Sequence, residues 1–260
     1  MEIKTEVETR FGDLEMLVAI APFDQAVAAL QRENATLATA RQVAQARIVA
    51  GPDSEVSRYG SWVAENFVYL PSGKIFITKA KNSPILKRPT VATEAHRNGI
   101  EFHISEEEAA SLEKLAVSGE VYTLKKDESY NIPIKKFAKD GLARFVFGDT
   151  AADYAKFLQE AGAYEFQVFL AGSKYQKEQK APFAQALWLH YVYYRSERDG
   201  YVRNLYDDYW ARGVRKASEA NMTQNGKSYE NILQKYNIKS PDQLRQVLEK
   251  YSQIKGLVKE

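Results

Sequence analysis

The absence of cysteine is the feature that most constrains how this chain can fold. None of its 260 residues is Cys, so no disulfide can cross-link the fold. No thiolate is available to bind zinc, to hold an iron–sulfur cluster or to act as a nucleophile. Since 45% of the residues are hydrophobic and a chain of this length buries roughly 70–75% of its surface, we expect a stable fold held by packing.

The missing cysteines also fit a reducing compartment, although a thermophilic source would explain them equally well. The first 20 residues carry charges throughout and lack the apolar core of a secretory signal. No apolar run in the sequence approaches the roughly 18 residues that a membrane-spanning helix needs. We therefore expect a cytoplasmic protein with no membrane partner.

Local patterns predict both strands and helices in the first 172 residues. Alternating apolar residues on either side of turn-forming residues predict hairpins at residues 2–20 and 61–80. The Ala-rich stretch 23–50 predicts one long helix. Ser105 and Glu108 have the spacing of a capping box, which predicts a helix that begins there.

Residues 142–172 have the pattern of a βαβ unit. Apolar residues at 142–147 predict a strand, residues 150–161 an amphipathic helix, and residues 164–170 a second strand. Such a unit would be parallel and right-handed. The expected fold class is therefore α+β or mixed α/β, with small sheets and one βαβ unit.

The region after residue 172 predicts helices alone. Residues 181–198, 201–220 and 241–256 each have helical spacing or capping residues. We therefore expect a mixed α/β domain over residues 1–172 and an all-helical region over residues 173–260. That helical region could also pack as part of the same domain.

The most unusual stretch is 188–216, in which two Trp and six Tyr interleave with five Arg and one Lys. Arginines that bind phosphate and rings that stack on bases are typical of proteins that bind irregular or single-stranded nucleic acid. Two alternatives stay open: core packing with surface ion pairs, and a protein interface, where the same residue types are enriched. The candidate binding residues are Arg195, Arg198, Arg203, Tyr206, Trp210, Arg212 and Arg215.

The leading functional hypothesis is a non-enzymatic binding or assembly protein. Nucleic acid is the first candidate partner, and another protein or a second copy of the chain follows. The net charge of +2, from 36 basic and 34 acidic residues, does not by itself predict a polyanion partner. No cofactor is predicted.

The alternative hypothesis is an α/β enzyme or metal-dependent nuclease with its site near Asp149. Gly148 and Asp149 follow a predicted strand and precede a helix, where α/β proteins place ligands. A helix cap explains the same residues without a function. His96 and His103 lie on different predicted elements and do not make the three or four ligands of a zinc site, so we predict no metal site there.

Overall fold

The computed structural model describes residues 3, 5–190, 192, 196–199 and 205–217, with the backbone alone for 196–199. Within these residues, twelve strands form one mixed sheet. In chain order the strands are β1 Thr5–Phe11, β2 Leu14–Ala21, β3 Thr36–Leu37, β4 Ser61–Tyr69, β5 Ile75–Thr78, β6 Phe102–His103, β7 Tyr122–Thr123, β8 Tyr130–Pro133, β9 Glu165–Phe169, β10 Phe183–Leu189, β11 Ser196–Asp199 and β12 Tyr209–Lys216. The main path runs β1-β2-β12-β4-β10-β11-β9-β8, and the four short strands β3, β5, β6 and β7 pair at its sides. The fold lies almost wholly in one compact unit, Met1–Arg215, with a second unit at Lys216–Glu260.

Helices cover both faces of this sheet. They are α1 Phe23–Arg32, α2 Ala40–Ala50, α3 Glu55–Arg58, α4 Pro84–Lys87, α5 Pro89–Arg97, α6 Glu106–Val117, α7 Ile134–Phe137, α8 Gly141–Phe147, α9 Ala151–Glu160 and α10 Ser173–Glu178. All nine residues of β4 are buried. Val63 and Phe67 belong to a core shared with α2, α8 and α9, whereas Trp62 and Ala64 belong to a core shared with α1 and α6. Because successive side chains of a strand point to opposite faces, β4 separates two hydrophobic cores.

Both hairpins predicted from the sequence are confirmed. β1 and β2 pair antiparallel around a turn in which Gly12 has a φ of 59°, a conformation that glycine adopts at little cost. β4 and β5 also pair antiparallel, with Tyr69 opposite Ile75. The capping box at the start of α6 is confirmed as well, since the amide of Glu108 donates to the hydroxyl of Ser105 at 3.2 Å.

The single helix expected over residues 23–50 is wrong, because the chain forms α1, then β3, then α2. Asn34 has a left-handed φ of 55° just after α1, which ends the helix. A second capping box then starts α2: the amide of Gln42 donates to the Thr39 hydroxyl at 3.2 Å, and the Thr39 amide donates to the Gln42 side chain at 2.9 Å. The Thr-x-x-Gln spacing was visible in the sequence.

The βαβ unit over residues 142–172 is also wrong. Its first segment is the helix α8, because an Asp140 carboxylate oxygen accepts from the amides of Leu142 and Ala143 at 2.9 and 3.0 Å. The following α9 and β9 are confirmed. β9 instead pairs parallel with β11 and antiparallel with β8.

The all-helical C-terminal region is wrong for the part that the structure describes. β10 is buried along its whole length and pairs antiparallel with β4, while β12 pairs with both β3 and β4. The expected helix at 241–256 lies outside the described residues. The one expected at 201–220 is wrong where it is described, because Tyr209–Lys216 form the strand β12. The division of the chain at residue 172 stays a prediction.

A buried ion pair joins the first and last described strands of the sheet. The side chains of Arg212 and Glu8 are 0% and 4% exposed. Arg212 Nε and Nη2 donate to the two carboxylate oxygens of Glu8 at 2.5 and 2.6 Å. Its other donors reach the carbonyls of Glu55, Tyr59 and Gly60 at 3.1–3.2 Å. Burial lowers the pKa of Arg212, and the hydrogen bonds and charge of Glu8 oppose that change.

Arg47 of α2 binds the same chain segment, residues 55–60, from the other side. Its side chain is fully buried. Nε donates to the Val56 carbonyl at 2.8 Å, Nη1 to the Tyr154 hydroxyl at 2.8 Å, and Nη2 to the Tyr59 carbonyl at 3.4 Å. Four carbonyls of this short segment, those of Glu55, Val56, Tyr59 and Gly60, therefore accept hydrogen bonds from two arginines that are far apart in the chain.

We expect Glu8→Gln to lower the free energy of unfolding by about 3–5 kcal/mol, because it leaves the Arg212 charge buried without its counter-ion. The matched control is Glu113→Gln, which breaks the exposed Lys74 pair and should cost about 0–1 kcal/mol. Urea unfolding monitored by circular dichroism measures both. Equal losses in the two variants would contradict the importance of the buried pair.

Candidate binding surface

Three aromatic residues form a surface at the point where α3 ends and β12 begins. We call Tyr59, Tyr209 and Trp210 the aromatic edge. The rings of Tyr59 and Trp210 stack with their centroids 4.4 Å apart and an interplanar angle of 9°. Tyr59 is 45% exposed, and Tyr209 and Trp210 are half-buried, so solvent reaches part of each ring.

Buried tryptophans support this surface from below. The ring of Tyr209 lies 5.4 Å from Trp188, and Trp188 lies 4.8 Å from Trp62, both in edge-to-face geometry. Gly60 makes this packing possible, because a Cβ at that position would meet the Trp188 indole nitrogen at 2.5 Å. The aromatic edge therefore rests on closely packed rings.

Arg212 lies behind the aromatic edge. Its guanidinium carbon is 5.1 Å from the centre of the Trp210 ring, within the range of a cation–π contact. Since Glu8 already binds this guanidinium on both oxygens, Arg212 holds Trp210 in place and has no role at the surface.

The structure describes the side chains of four of the seven predicted binding residues, Tyr206, Trp210, Arg212 and Arg215. Arg195 and Arg203 lie outside the described residues, and Arg198 is described by its backbone alone, opposite Leu189. Tyr206 is half-buried in the turn before β12. Arg212 is buried, as described above, and Trp210 belongs to the aromatic edge.

Arg215, the last of the predicted set, is also bound by carboxylates. Its Nε lies 3.2 Å from an oxygen of Glu15, and its Nη1 lies 3.0 Å from Glu33. The two predicted arginines whose side chains the structure describes, Arg212 and Arg215, are therefore both engaged in intramolecular ion pairs. Neither contributes to the phosphate-binding surface that the sequence predicted.

The site predicted near Asp149 is wrong too. Asp149 lies in a single 3-10 turn between α8 and α9, not at the end of a strand. Its side chain is 78% exposed and pairs with Arg41 at 2.5 Å. Among the residues that the structure describes, no group of three or more His, Asp or Glu side chains could hold a metal ion.

The two neighbouring histidines have different surroundings. His103 is exposed on β6, and its Nδ1 lies 3.3 Å from the Pro182 carbonyl. His96 lies on α5 with a buried Nε2 that has no hydrogen-bond partner within the described chain. Burial lowers the pKa of His96 to about 4, so the neutral imidazole is the stable form in the fold.

Glu101 forms a polar cluster that sequence reasoning did not single out as a site. One carboxylate oxygen accepts from the Tyr175 hydroxyl at 2.7 Å and from the Gln185 amide at 3.0 Å. Burial raises the pKa of Glu101, against the opposing effect of these hydrogen bonds and of His103. Its second oxygen is buried without a partner in the described chain, and the cluster connects α10 to β10.

Tyr59 was also missed, since a lone tyrosine between two turns has no pattern in the sequence. Its importance comes from the stack with Trp210, which is 151 positions later in the chain.

Comparison with known proteins shows a likeness of fold. No family model matches the chain, and no curated protein matches it. One solved structure does, described by the words "Accommodation of massive sequence variation in Nanoarchaeota by the C-type lectin fold". It superposes with a TM-score of 0.53 over 83% of this chain and 97% of that chain, at 15% sequence identity. At this identity the likeness shows an α+β fold similar to the C-type lectin fold and nothing further.

The predicted function as a nucleic-acid-binding protein, or alternatively as a nuclease, is therefore wrong. The Tyr- and Arg-rich helices that carried the first prediction are strands in the described region, and the described arginines are occupied. The fold match is to a C-type lectin fold, and neither hypothesis is supported by it. Within the described ranges, no helix has the length and apolar character to cross a membrane.

We expect the stability of the protein to fall as the pH drops from 6.5 towards 4, in part through His96. In this range the unfolded chain binds a proton at His96 that the folded protein does not, so acid favours unfolding. His96→Leu should flatten this part of the pH profile. Urea unfolding at several pH values between about 4 and 7 measures the slope.

The control for this experiment is Val91→Leu, an exposed position on the same helix α5 with no ionisable side chain. That variant should keep the pH dependence of the original protein. If His96→Leu and Val91→Leu change the slope equally, the buried imidazole is not its source.

Proposed function

We propose that this chain is a binding protein that recognises a protein partner through its aromatic edge. The observation that carries the proposal is the parallel stack of Tyr59 and Trp210, whose rings remain partly exposed at 4.4 Å from one another. Exposed aromatic rings on a rigid support are typical of the residues that dominate protein interfaces. Tyr206, from the predicted set, is included in the proposed surface.

The support beneath the stack favours this function. A partner that meets a preorganised surface loses less side-chain entropy in binding. The packed rings of Trp62 and Trp188, the glycine at position 60 and the buried Arg212 all restrict the aromatic edge in the free protein. A surface built in this way can bind without rearranging its backbone.

The fold comparison supports a binding role in general terms. The solved structure is described as accommodating massive sequence variation by the C-type lectin fold. A frame that tolerates such variation can present different side chains to different partners. In this chain, the side chains presented to a partner are those of the aromatic edge.

The test is a selection of random peptides displayed on phage against the immobilised protein. Selected peptides should bind Tyr59→Ala about 10- to 100-fold more weakly, because truncation of an interface hot spot costs about 2 kcal/mol or more. Tyr164→Ala is the matched control, since Tyr164 is 59% exposed before β9 and apart from this surface. It should leave the affinity unchanged.

Four outcomes decide the proposal. Peptides that lose affinity in Tyr59→Ala alone support it, as does a dimer of the original protein that Tyr59→Ala dissociates in analytical ultracentrifugation. Peptides that bind all variants equally contradict it. Binding to immobilised glycans that is lost in Tyr59→Ala would show that the aromatic edge binds sugars, and would overturn the assignment of a protein partner.

A further inference from the structure

A cavity of about 640 Å³ lies between the β1–β2 turn, α2 and α9. Its apolar lining includes Phe11, Leu14, Ile48 and Phe157. Val49, at the rim, is 62% exposed. The volume is in the range of binding pockets, and the lining has the apolar character that such pockets share.

A second cavity, of about 500 Å³, lies on the same side of α2. Leu14 and Gln45 line both cavities, so the two adjoin each other along α2, and we call them together the α2 groove. It follows α2 from Arg41 to Val49, eight residues apart, which corresponds to about 12 Å along a helix. A peptide of about five residues in extended conformation has the same length.

The two ends of the α2 groove carry opposite charge. The lining of the first end includes three carboxylates, those of Asp13, Asp153 and Glu160, and a single amine, that of Lys156. All four side chains are exposed. This end therefore attracts a positively charged group.

The second end offers the charge of one lysine. Arg41, Lys79 and Lys81 line it with a single carboxylate, Glu65, whose Oε2 accepts the amide of Ala40. Arg41 and Lys81 are already paired with carboxylates at the surface. Lys79 lies 4.7 Å from the Phe145 ring and has no ion pair within the described chain, so its charge is available.

We propose that the α2 groove binds an extended peptide segment that has a basic residue at one end, apolar residues in the middle and an acidic residue at the other end. The apolar floor would bury the central side chains, which is the main source of affinity. The opposite charges at the two ends fix the orientation of the segment, since electrostatic complementarity contributes chiefly specificity. This site is separate from the aromatic edge and does not depend on the proposed function.

The probes are three capped pentapeptides that carry an uncharged fluorophore and share three central leucines. One has Arg first and Glu last, one has Arg at both ends, and one has Glu at both ends. We expect the Arg/Glu peptide to bind the full chain about tenfold more tightly than either of the others, as measured by fluorescence anisotropy at low salt. A tenfold difference corresponds to about 1.4 kcal/mol.

Two charge reversals at exposed positions test the orientation. Lys79→Glu should make the peptide with two Arg the tightest of the three. The double variant Asp153→Lys/Glu160→Lys, which leaves Asp13 as the one carboxylate of the first end, should do the same for the peptide with two Glu. Tyr164→Ala should change none of the affinities, because Tyr164 is exposed and lines neither cavity. Circular dichroism confirms that each variant is folded.

The proposal is overturned if the three peptides bind the original protein with equal affinity, or if none binds at concentrations up to about 1 mM, the weakest affinity of interest. It is equally overturned if the order of affinities is unchanged in folded Lys79→Glu and in the folded double variant Asp153→Lys/Glu160→Lys. A change to the expected order of affinities in both variants supports the α2 groove as a site that binds a peptide in one orientation.

Discussion

The buried pair of Arg212 and Glu8 is the interaction on which the rest of the structure depends. A buried guanidinium is stable only when its charge is paired and its donors are satisfied, and here one carboxylate and three carbonyls do this. Because Arg47 binds the same segment from α2, residues 55–60 are held in place by two buried arginines as well as by the packing of Val56 in the core. The position of Tyr59, and so of the aromatic edge, follows from these two arginines.

The parts of the fold that were correctly predicted from the sequence are those determined by residues close together in the chain. The β1–β2 hairpin depends on one glycine turn, and the start of α6 depends on Ser105 and Glu108. The wrong predictions concern segments whose apolar pattern is equally compatible with two structures. In these segments a single residue determines which structure forms. A short apolar run is compatible with a strand or a buried helix, and Asp140 decided for helix at α8. Thr39 likewise decided where α2 begins.

The binding surface was predictable only in part, because its components come from separate segments. The sequence drew attention to Trp210 as an unusual residue. Its stacking partner, however, is Tyr59, and its support is Trp188 on another strand, through Tyr209. The nucleic-acid-binding role predicted from the arginines was wrong for a related reason. Carboxylates that neutralise them, such as Glu8, lie about 200 residues away, so a local charge count could not show that Arg212 is buried.

The place of β12 in the sheet has a consequence for how the chain acquires its structure. Although it is the last described strand, it lies between β2 and β4, near the middle of the sheet. An N-terminal fragment that ends before Tyr209 leaves β2 and β4 without the neighbour that joins them. The pairing must close loops of about 150 to 200 residues, and such non-local contacts slow folding. On the ribosome, the centre of this sheet therefore assembles late, and chaperones that shield open strand edges have the longest opportunity to act before residue 216 emerges.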